Sequence, residues 1–494
     1  MTRDRGIRYW LPSYLAGTPR RLLARRARRS KTVHVMFLIC DHYEPRHGVT
    51  HEGQDSNRVA AWSTGYPTLF EKCRKEFGHG PKHTWFYPPH HGLEHLEALS
   101  EMAFNGLGEI ELHFHHDGDT SFTLREKLRE CVNAYNRRGL LLSSGDNVKT
   151  TFAFIHGDWA LDNSADGKYC GVNDELTILS ELGCWGDFTM PSANECQTRK
   201  INSIYYAQDD PNKPKSHDHG IDLAVGKAAV QNSLFMMQGP LGINFRAPRY
   251  PRIENAALTT QNWGREDRTR AWVDLGIHVQ GRPEWIFVKL HAHGAVEVDH
   301  DALIGERAFE MHRVMNEKYN DGRKYRLHYV TAREAYNICK AAELGLEGDP
   351  DDYRDLVIPP YASQRYILND EHLLVSCTER ELYIKDINDS ERCCIKLSGM
   401  IIREISGRLE QIELSKCGQD LGVQCHGASE VVTFHVVEGV KVQELENAAL
   451  IAHEQIPGGM KYTIRIEGNK FLVRLKEFVD KSAGPKNAQQ MHAG

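Results

Sequence analysis

The stretch Thr32–Pro45 reads TVHVMFLICDHYEP and joins the first long apolar run of the chain to a group of polar side chains. An apolar run of this length, bounded by polar residues, is typical of a buried β-strand. Asp41 and His42 follow at the point where that strand would end. The stretch therefore predicts a buried strand with functional groups at its carboxyl end.

Similar segments recur further along the chain, with helix-like segments between them. The predicted strands are GEIELHF, KTTFAFIHGDW, QNSLFMMQGP and PEWIFVKLHAHG, and the predicted helices include FTLREKLRECVNAYNRRG and DELTILSELG. Each of these two helices stops at a glycine, a common helix terminator. Strands that alternate with helices predict an α/β fold whose parallel sheet is open or closed into a barrel.

Histidine and aspartate cluster at the predicted carboxyl ends of several of these strands. They fall at 41–42, 113–117, 156–158 and 291–293. In parallel α/β folds the carboxyl ends of the strands form the edge at which sites are built. The sequence therefore predicts a functional site at this edge.

The chain of 494 residues is too long for one ordinary domain, and its character changes twice. Residues 1–31 carry ten Lys or Arg against the single acid Asp4, although the net charge of the whole chain is −6. We interpret residues 1–31 as a basic arm that caps the next domain. The alternative is a short amphipathic helix that lies on an anionic membrane with Leu22, Leu23 and Ala27 on its apolar face. Because the rest of the chain is acidic, a nucleic-acid partner is not expected.

The domains predicted from these changes are the arm 1–31, an α/β barrel at 32–355, an all-β sandwich at 356–482 and a disordered tail at 483–494. Short alternating segments such as EVVTFHVVEG and KYTIRIEG indicate the all-β domain. The twelve cysteines include no C-x2-C pair, and no secretion signal is recognisable. We therefore expect a cytoplasmic protein with reduced thiols, and the membrane-touching alternative for the arm would place it at the inner face of the membrane.

The segment Ile110–Asp119, IELHFHHDGD, is the strongest candidate for a metal site. On an extended strand His113 and His115 point to one face, whereas a helical turn would bring His113 towards His116 or Asp117. Imidazole with carboxylate suits a divalent ion, for which zinc is favoured and cobalt, nickel or iron are alternatives. A polar strand end without metal is the competing interpretation.

The order of these motifs resembles that of the polysaccharide deacetylase superfamily, the NodB-homology group similar to carbohydrate esterase family four. The resemblance implies a deformed (β/α) barrel with Asp41 as general base and His42 as a metal ligand. It places His113 at the first histidine of the family's His-x3-His motif, with Asp117 at the second and His116 beside it. His291 would be the general acid, and His293 is a second candidate.

Further roles implied by the resemblance fall in the middle of the chain. Asp187 would be a catalytic aspartate at a strand end. The substrate-binding candidates are His156, Asp158, Trp159, His293 and Arg246, of which Arg246 lies later in the chain than the family's arginine motif. The implied activity is metal-dependent removal of an acyl group from an amino sugar, in a glycan or a lipid-linked sugar. The alternatives are a glycan-binding protein without activity and another metallohydrolase of amidohydrolase or phosphoesterase type.

Overall fold

The computed structural model describes two units of the chain. The described residues are 6–136, 140–141, 151–192 and 194–361, followed by 365–368, 373–377, 381–386, 393–398, 402–407, 411–417, 420–426, 430–468 and 470–477. The first unit comprises Met1–Val132 and Thr150–Pro360, and the second comprises Asn133–Lys149 and Tyr361–Gly494. The tail predicted at 483–494 lies outside the described residues.

The helices of the described residues are numbered α1 to α10 in chain order. They are Ile7–Ala16, Thr18–Ala27, Gln54–Phe77, Leu96–Phe104, Ser121–Asn136, Glu175–Glu181, Glu266–Leu275, His300–Leu303, Glu306–Tyr319 and Ala332–Glu343. No helix in this part of the chain is both long and apolar enough to cross a membrane.

Thirteen strands lie among the described residues of the first unit, and most of them form one large sheet. Strands β1 to β13 are Val33–His42, His83–Tyr87, Gly108–Phe114, Phe152–His156, Cys184–Asp187, Ile204–Gln208, Ile221–Asp222, Ser233–Met237, Gly242–Asn244, Arg252–Glu254, Ala257–Leu258, Trp285–Ala292 and Tyr325–Tyr329. The eleven-stranded sheet has the order β11-β12-β1-β2-β3-β4-β5-β8-β6-β7, with β13 also paired to β1.

Parallel pairing dominates this sheet, and β1 lies inside it. Strand β1 pairs in parallel with β12, β13 and β2. All ten of its residues are buried, which accounts for its nearly continuous apolar sequence. The predicted α/β fold with a parallel-rich sheet is confirmed.

The sheet curls into a half-barrel. From β12, the buried Lys289 reaches across to donate hydrogen bonds to the carbonyls of Phe188 and Met190, just after β5. Beyond β7, the amide of Val225 donates to the carbonyl of Gln280, on the approach to β12, at 2.8 Å. The two ends of the sheet path are thereby drawn towards each other.

Side chains on the two faces of β1 meet different surroundings. Phe37 contacts the rings of Trp272 on α7 and His312 on α9, so it faces the outer helical layer. Because side chains alternate along a strand, Asp41 shares this outward face and His42 points inward. This difference decides which strand-end residues can form a site together.

The basic arm folds as α1 and α2. Trp10 on α1 is buried, whereas Leu22 and Leu23 on α2 are 60% and 68% exposed. The helix expected around Leu22, Leu23 and Ala27 is therefore present as α2, with its two leucines facing solvent.

The part of the second unit that the structure describes forms two antiparallel sheets. Its strands β14 to β25 are Arg365–Leu368, Leu373–Cys377, Glu381–Asp386, Cys393–Ser398, Ile402–Gly407, Gln411–Cys417, Asp420–His426, Val431–Val437, Val440–Glu446, Ala448–Ile456, Gly459–Ile466 and Lys470–Glu477. The two six-stranded sheets have the orders β14-β17-β18-β21-β24-β23 and β15-β16-β19-β20-β25-β22. Alternate residues such as Val432, Phe434 and Val436 are fully buried. The predicted all-β character of this part is confirmed.

Candidate metal centre

The carboxyl ends of β1 and β3 bring one carboxylate and two imidazoles together. We call Glu44, His113 and His115 the edge cluster. His115 Nε2 lies 2.9 Å from Glu44 Oε1 and 3.1 Å from His113 Nε2. His113 Nε2 lies 3.7 Å from the same carboxylate oxygen. These three groups could hold a metal ion.

In each imidazole of the edge cluster, Nδ1 lies next to a group that can only accept a hydrogen bond. His113 Nδ1 lies 2.9 Å from the carbonyl of Ile155, and His115 Nδ1 lies 3.1 Å from a carboxylate oxygen of Asp158. Each Nδ1 therefore carries a proton, and each Nε2 faces the Glu44 carboxylate, where it can hold either a second proton or a metal cation. Such partners orient metal-binding histidines and fix their tautomer.

Further histidines and a tryptophan surround the edge cluster. The His42 ring centre lies 4.9 Å from those of both His113 and His293, and 5.7 Å from that of Trp159. His42 Nε2 is buried and has no hydrogen-bond partner among the described residues. The His115 and His293 side chains are 28% and 32% exposed, so the cluster is open on one side.

Charges in the edge cluster favour a bound cation. Burial alone would raise the pKa of Glu44, but its contacts with His113 and His115 hold that pKa well below the usual value. Burial lowers the pKa of both His42 and His293. Burial alone would lower the pKa of His115, but Glu44 and Asp158 raise it. The cluster therefore holds a negatively charged carboxylate against a ring that attracts positive charge, and a metal cation there would take the place of a proton on His115.

A second cluster lies at the ends of β3 and β4, where His116 and His156 are completely buried. Their Nε2 atoms are 2.9 Å apart, and they lie 3.2 Å and 3.4 Å from Glu175 Oε1. His116 Nδ1 donates to Asp119 and His156 Nδ1 donates to the carbonyl of Gly157. We call His116, His156 and Glu175 the buried cluster, and its donor atoms also converge.

The structure thus divides the predicted metal ligands between two places. His113 belongs to the edge cluster and His42 lies beside it, whereas His116 belongs to the buried cluster. Asp117 is exposed, and its carboxylate accepts a hydrogen bond from the amide of Tyr169 at 2.6 Å. The carboxylate that supports His116 is Asp119 instead.

Asp41 does not join either cluster. Its carboxylate accepts hydrogen bonds from the amide of Gly294 at 2.6 Å and from His83 Nε2 at 3.0 Å, on the outward face of β1. A Cβ on Gly294 would come within 2.1 Å of Asp41 Oδ2, so the contact is close. The expected role of Asp41 as general base therefore does not fit the geometry, because strand alternation turns it away from His42.

This position of Asp41 gives a testable prediction. Asp41→Asn should keep the metal content of the protein, because an amide can still bond Gly294 and His83. Asp41→Ala should lower the free energy of unfolding by about 3 kcal/mol, since two buried donors lose their acceptor. Metal analysis and urea unfolding would measure these effects. An Asn variant that stays folded and metal-loaded but loses hydrolysis more than about 100-fold would restore Asp41 as the base.

The remaining predicted residues lie in different surroundings. His291 is buried, its ring centre is 6.3 Å from that of His42, and burial holds its pKa well below the usual value. The neutral ring would have to take up a proton before donating one, and the role of His291 as general acid stays a prediction. Asp187 accepts hydrogen bonds from Thr189, and burial raises its pKa to about 7. Arg246 forms an ion pair with Asp274 at 2.9 Å.

The substrate-binding candidates are also separated. Trp159 and His293 border the edge cluster, with ring centres 5.8 Å apart, and Asp158 orients His115. His156 is fully buried and points into the buried cluster. It therefore cannot contact a substrate at the open side.

Sequence reasoning missed three of the carboxylates that matter. Glu44 stands two residues after His42, and alternation could have placed it on the same face. Glu175 begins α6, 59 residues after His116, and no local pattern connects the two. Asp119 lies in the segment IELHFHHDGD, but the family motif points to Asp117 as the metal ligand.

Fold and site together define an α/β protein with histidine–carboxylate clusters at the carboxyl edge of a parallel sheet. No family model and no curated protein matches the sequence. One similar solved structure comes from Parabacteroides distasonis and is named only provisionally as a glycoside hydrolase/deacetylase. Its sequence is 9% identical to this chain and the TM-score is 0.35. The match covers 83% of this chain and 84% of the other.

A second structure is the catalytic module of a family 98 glycoside hydrolase from Streptococcus pneumoniae, in complex with the LewisY pentasaccharide. Its sequence is 8% identical to this chain and the TM-score is 0.17. The match covers 92% of this chain and 86% of the other. Both likenesses are too weak to assign a family or an activity. The functional interpretation therefore rests on the residues of the site.

Proposed function

We propose that the protein is a metal-dependent hydrolase, with the edge cluster as its metal centre, that removes an acyl group from an amino sugar of a glycan or lipid-linked sugar. The observation that carries the proposal is the convergence of two imidazole Nε2 atoms and one carboxylate oxygen at an open site. Structural zinc sites are closed by four protein ligands, whereas catalytic sites keep a position open.

The spacing of the donor atoms supports a metal ion. Ligands about 2.0–2.1 Å from a tetrahedral zinc ion stand about 3.3 Å apart. The distances from His115 Nε2 to His113 Nε2 and to Glu44 Oε1, 3.1 Å and 2.9 Å, are within a few tenths of an ångström of that spacing. His42, with its unpartnered Nε2, is available as a further ligand.

A divalent ion at this position supplies Lewis-acid polarisation of a carbonyl and a water of lowered pKa. The proton transfer falls to His293, whose Nε2 lies 3.7 Å from Glu44 Oε2 and whose side chain reaches the open side. Burial lowers the pKa of His293, so the neutral ring accepts the proton of the attacking water. The same nitrogen then returns that proton to the leaving amine.

Trp159 supplies the surface for the sugar. Its ring lies beside His42 and His293, at the border of the edge cluster. A flat apolar ring face stacks on the apolar face of a pyranose, as aromatic side chains do with other flat apolar groups. This arrangement would place the acylamino group of the sugar next to the edge cluster.

The test is acetate release from N-acetylglucosamine oligomers by protein loaded with zinc or cobalt. We expect metal-dependent release and a loss of about 10²- to 10⁴-fold in His293→Ala, which should keep its metal ion. His300→Ala is a control, since His300 bonds the carbonyl of Ala295 rather than the cluster. A metal-loaded edge cluster without turnover of any acylated sugar would contradict the proposed activity.

One observation favours a second candidate, a metallohydrolase for another substrate. Asp41, the base that the deacetylase resemblance implies, is not at the edge cluster. The same preparations should therefore be assayed with phosphomonoesters and simple amides. Turnover of one of these, without acetate release, would identify the second candidate.

A further inference from the structure

The buried cluster has a fourth potential ligand, Cys170. One donor atom from each of His116, His156, Cys170 and Glu175 lies within 4.8 Å of the others. Cys170 Sγ is 3.5 Å from Glu175 Oε2. The Glu175 carboxylate thus faces the two histidines with Oε1 and the thiol with Oε2.

The four residues come from four separate segments. His116 and His156 follow β3 and β4, Cys170 lies in the loop after β4, and Glu175 begins α6. Each side chain is buried, and the side chains of His116, His156 and Glu175 have no exposed surface. This enclosure distinguishes the buried cluster from the edge cluster, where His115 is partly exposed.

The tautomers of the two histidines are fixed as in the edge cluster. Because Asp119 and the carbonyl of Gly157 can only accept, both Nδ1 atoms carry the proton and both Nε2 lone pairs point inward. Two lone pairs facing each other at 2.9 Å, next to a carboxylate, require a shared proton or a metal cation. The remaining oxygen of Glu175 accepts from the amide of Asp162 at 2.6 Å, which orients that carboxylate.

The backbone around Cys170 is also shaped for this arrangement. The carbonyl of Cys170 accepts a hydrogen bond from the amide of Asp119 at 3.0 Å, which joins the two loops. Gly171 has φ +98°, and a Cβ there would come within 2.9 Å of the Asp119 carbonyl oxygen. A glycine is therefore needed to bring the thiol to the two histidines.

We propose that His116, His156, Cys170 and Glu175 form a closed, four-coordinate site for a structural zinc ion, separate from the edge cluster. Its ion fixes the loop from Gly157 to Asp174 against the ends of β3 and β4. That loop carries Asp158, which orients His115, and Trp159. The site therefore supports the edge cluster without taking part in hydrolysis.

Binding of the ion is accompanied by loss of two protons, the one that the two histidine Nε2 atoms share in the free site and the one on the Cys170 thiol. In the free site the Cys170 thiol donates weakly to the carbonyl of Val172, at 3.5 Å. A coordinating thiol is deprotonated, so zinc replaces the S–H proton, which is released to solvent, and the S–Zn bond forms. Affinity for the ion should accordingly rise with pH.

X-ray absorption at the zinc edge of the full-length, zinc-loaded protein tests the proposal. We expect two zinc ions per chain and one sulfur scatterer at about 2.3 Å, because only one ion has a thiolate ligand. Cys170→Ser should lose the sulfur signal. Cys184→Ser is the matched control, since Cys184 is also buried and its thiol donates to a carbonyl two residues ahead, Gly186, at 3.4 Å.

A second variant does not depend on the folding of Cys170→Ser. Glu175→Gln keeps the thiol and the shape of the side chain, and it should lose the sulfur-bound ion while keeping the ion of the edge cluster. Conversely, His115→Ala should lose the edge ion and keep the sulfur signal, so failure of the proposed function and failure of this site are distinguishable. Absence of sulfur around zinc in the wild type, or its persistence in Cys170→Ser, would overturn the proposal.

Discussion

Replacing Glu44 by Gln is expected to remove the metal ion from the edge cluster and to lower acyl hydrolysis by more than about 100-fold. Loss of a supporting partner of a metal ligand already costs about 10- to 100-fold in affinity or activity, and a direct ligand should cost more. The amide has no negative charge to offset the cation, although it has nearly the same shape as the carboxylate. His113→Ala should have the same effect on metal content.

The control for this variant is Glu111→Gln. Glu111 is a fully buried carboxylate on β3, two residues before His113, and it accepts the amide of Ala153 at 2.6 Å. Its amide variant should keep both the metal ion and hydrolysis. If Glu44→Gln binds zinc and hydrolyses substrate like the wild type, the edge cluster is not the metal centre.

Lys289→Met should destabilise the first unit by about 3 kcal/mol without changing its metal content. Lys289 is completely buried, and its ammonium donates to the carbonyls of Phe188 and Met190 across the half-barrel. Removing it leaves two buried acceptors unsatisfied, at about 1–3 kcal/mol each. Methionine fills most of the volume, so the effect reports hydrogen bonding rather than a cavity. Urea unfolding monitored by fluorescence would measure it.

Leu290→Met provides the comparison on the same strand. Leu290 is equally buried but apolar, and a swap of similar volume should cost less than about 1.5 kcal/mol. A Lys289→Met protein as stable as the wild type would show that this lysine does not tie β12 to the end of β5. A loss of hydrolysis at unchanged stability would instead give Lys289 a role with substrate.

The sequence was sufficient to predict the parallel-rich sheet, because the apolar run at Thr32–Cys40 can be buried only with neighbours on both sides. It also predicted that His113 and His115 share a face, since strand periodicity is local. The same periodicity points the adjacent residues Asp41 and His42 to opposite faces of the strand. The family resemblance places both at one site, whereas the Asp41 carboxylate bonds Gly294 and His83.

The buried cluster could not be predicted in the same way. Cys170 and Glu175 approach His116 only through the path of the loop after β4, and their spacing follows no familiar metal motif. The absence of C-x2-C pairs gives no indication of a zinc finger, but it says nothing about a single cysteine that joins two histidines from different strands. Long-range approach of this kind depends on tertiary structure, which a local pattern does not record.

The most direct test of the metal centre is a crystal of the zinc-loaded protein measured on both sides of the zinc absorption edge. The account predicts an anomalous peak about 2.0–2.2 Å from His113 Nε2, His115 Nε2 and a carboxylate oxygen of Glu44. A map with no peak there, at zinc concentrations that saturate binding in solution, would contradict the central claim. A peak confined to the buried cluster would do the same, while leaving the structural site in place.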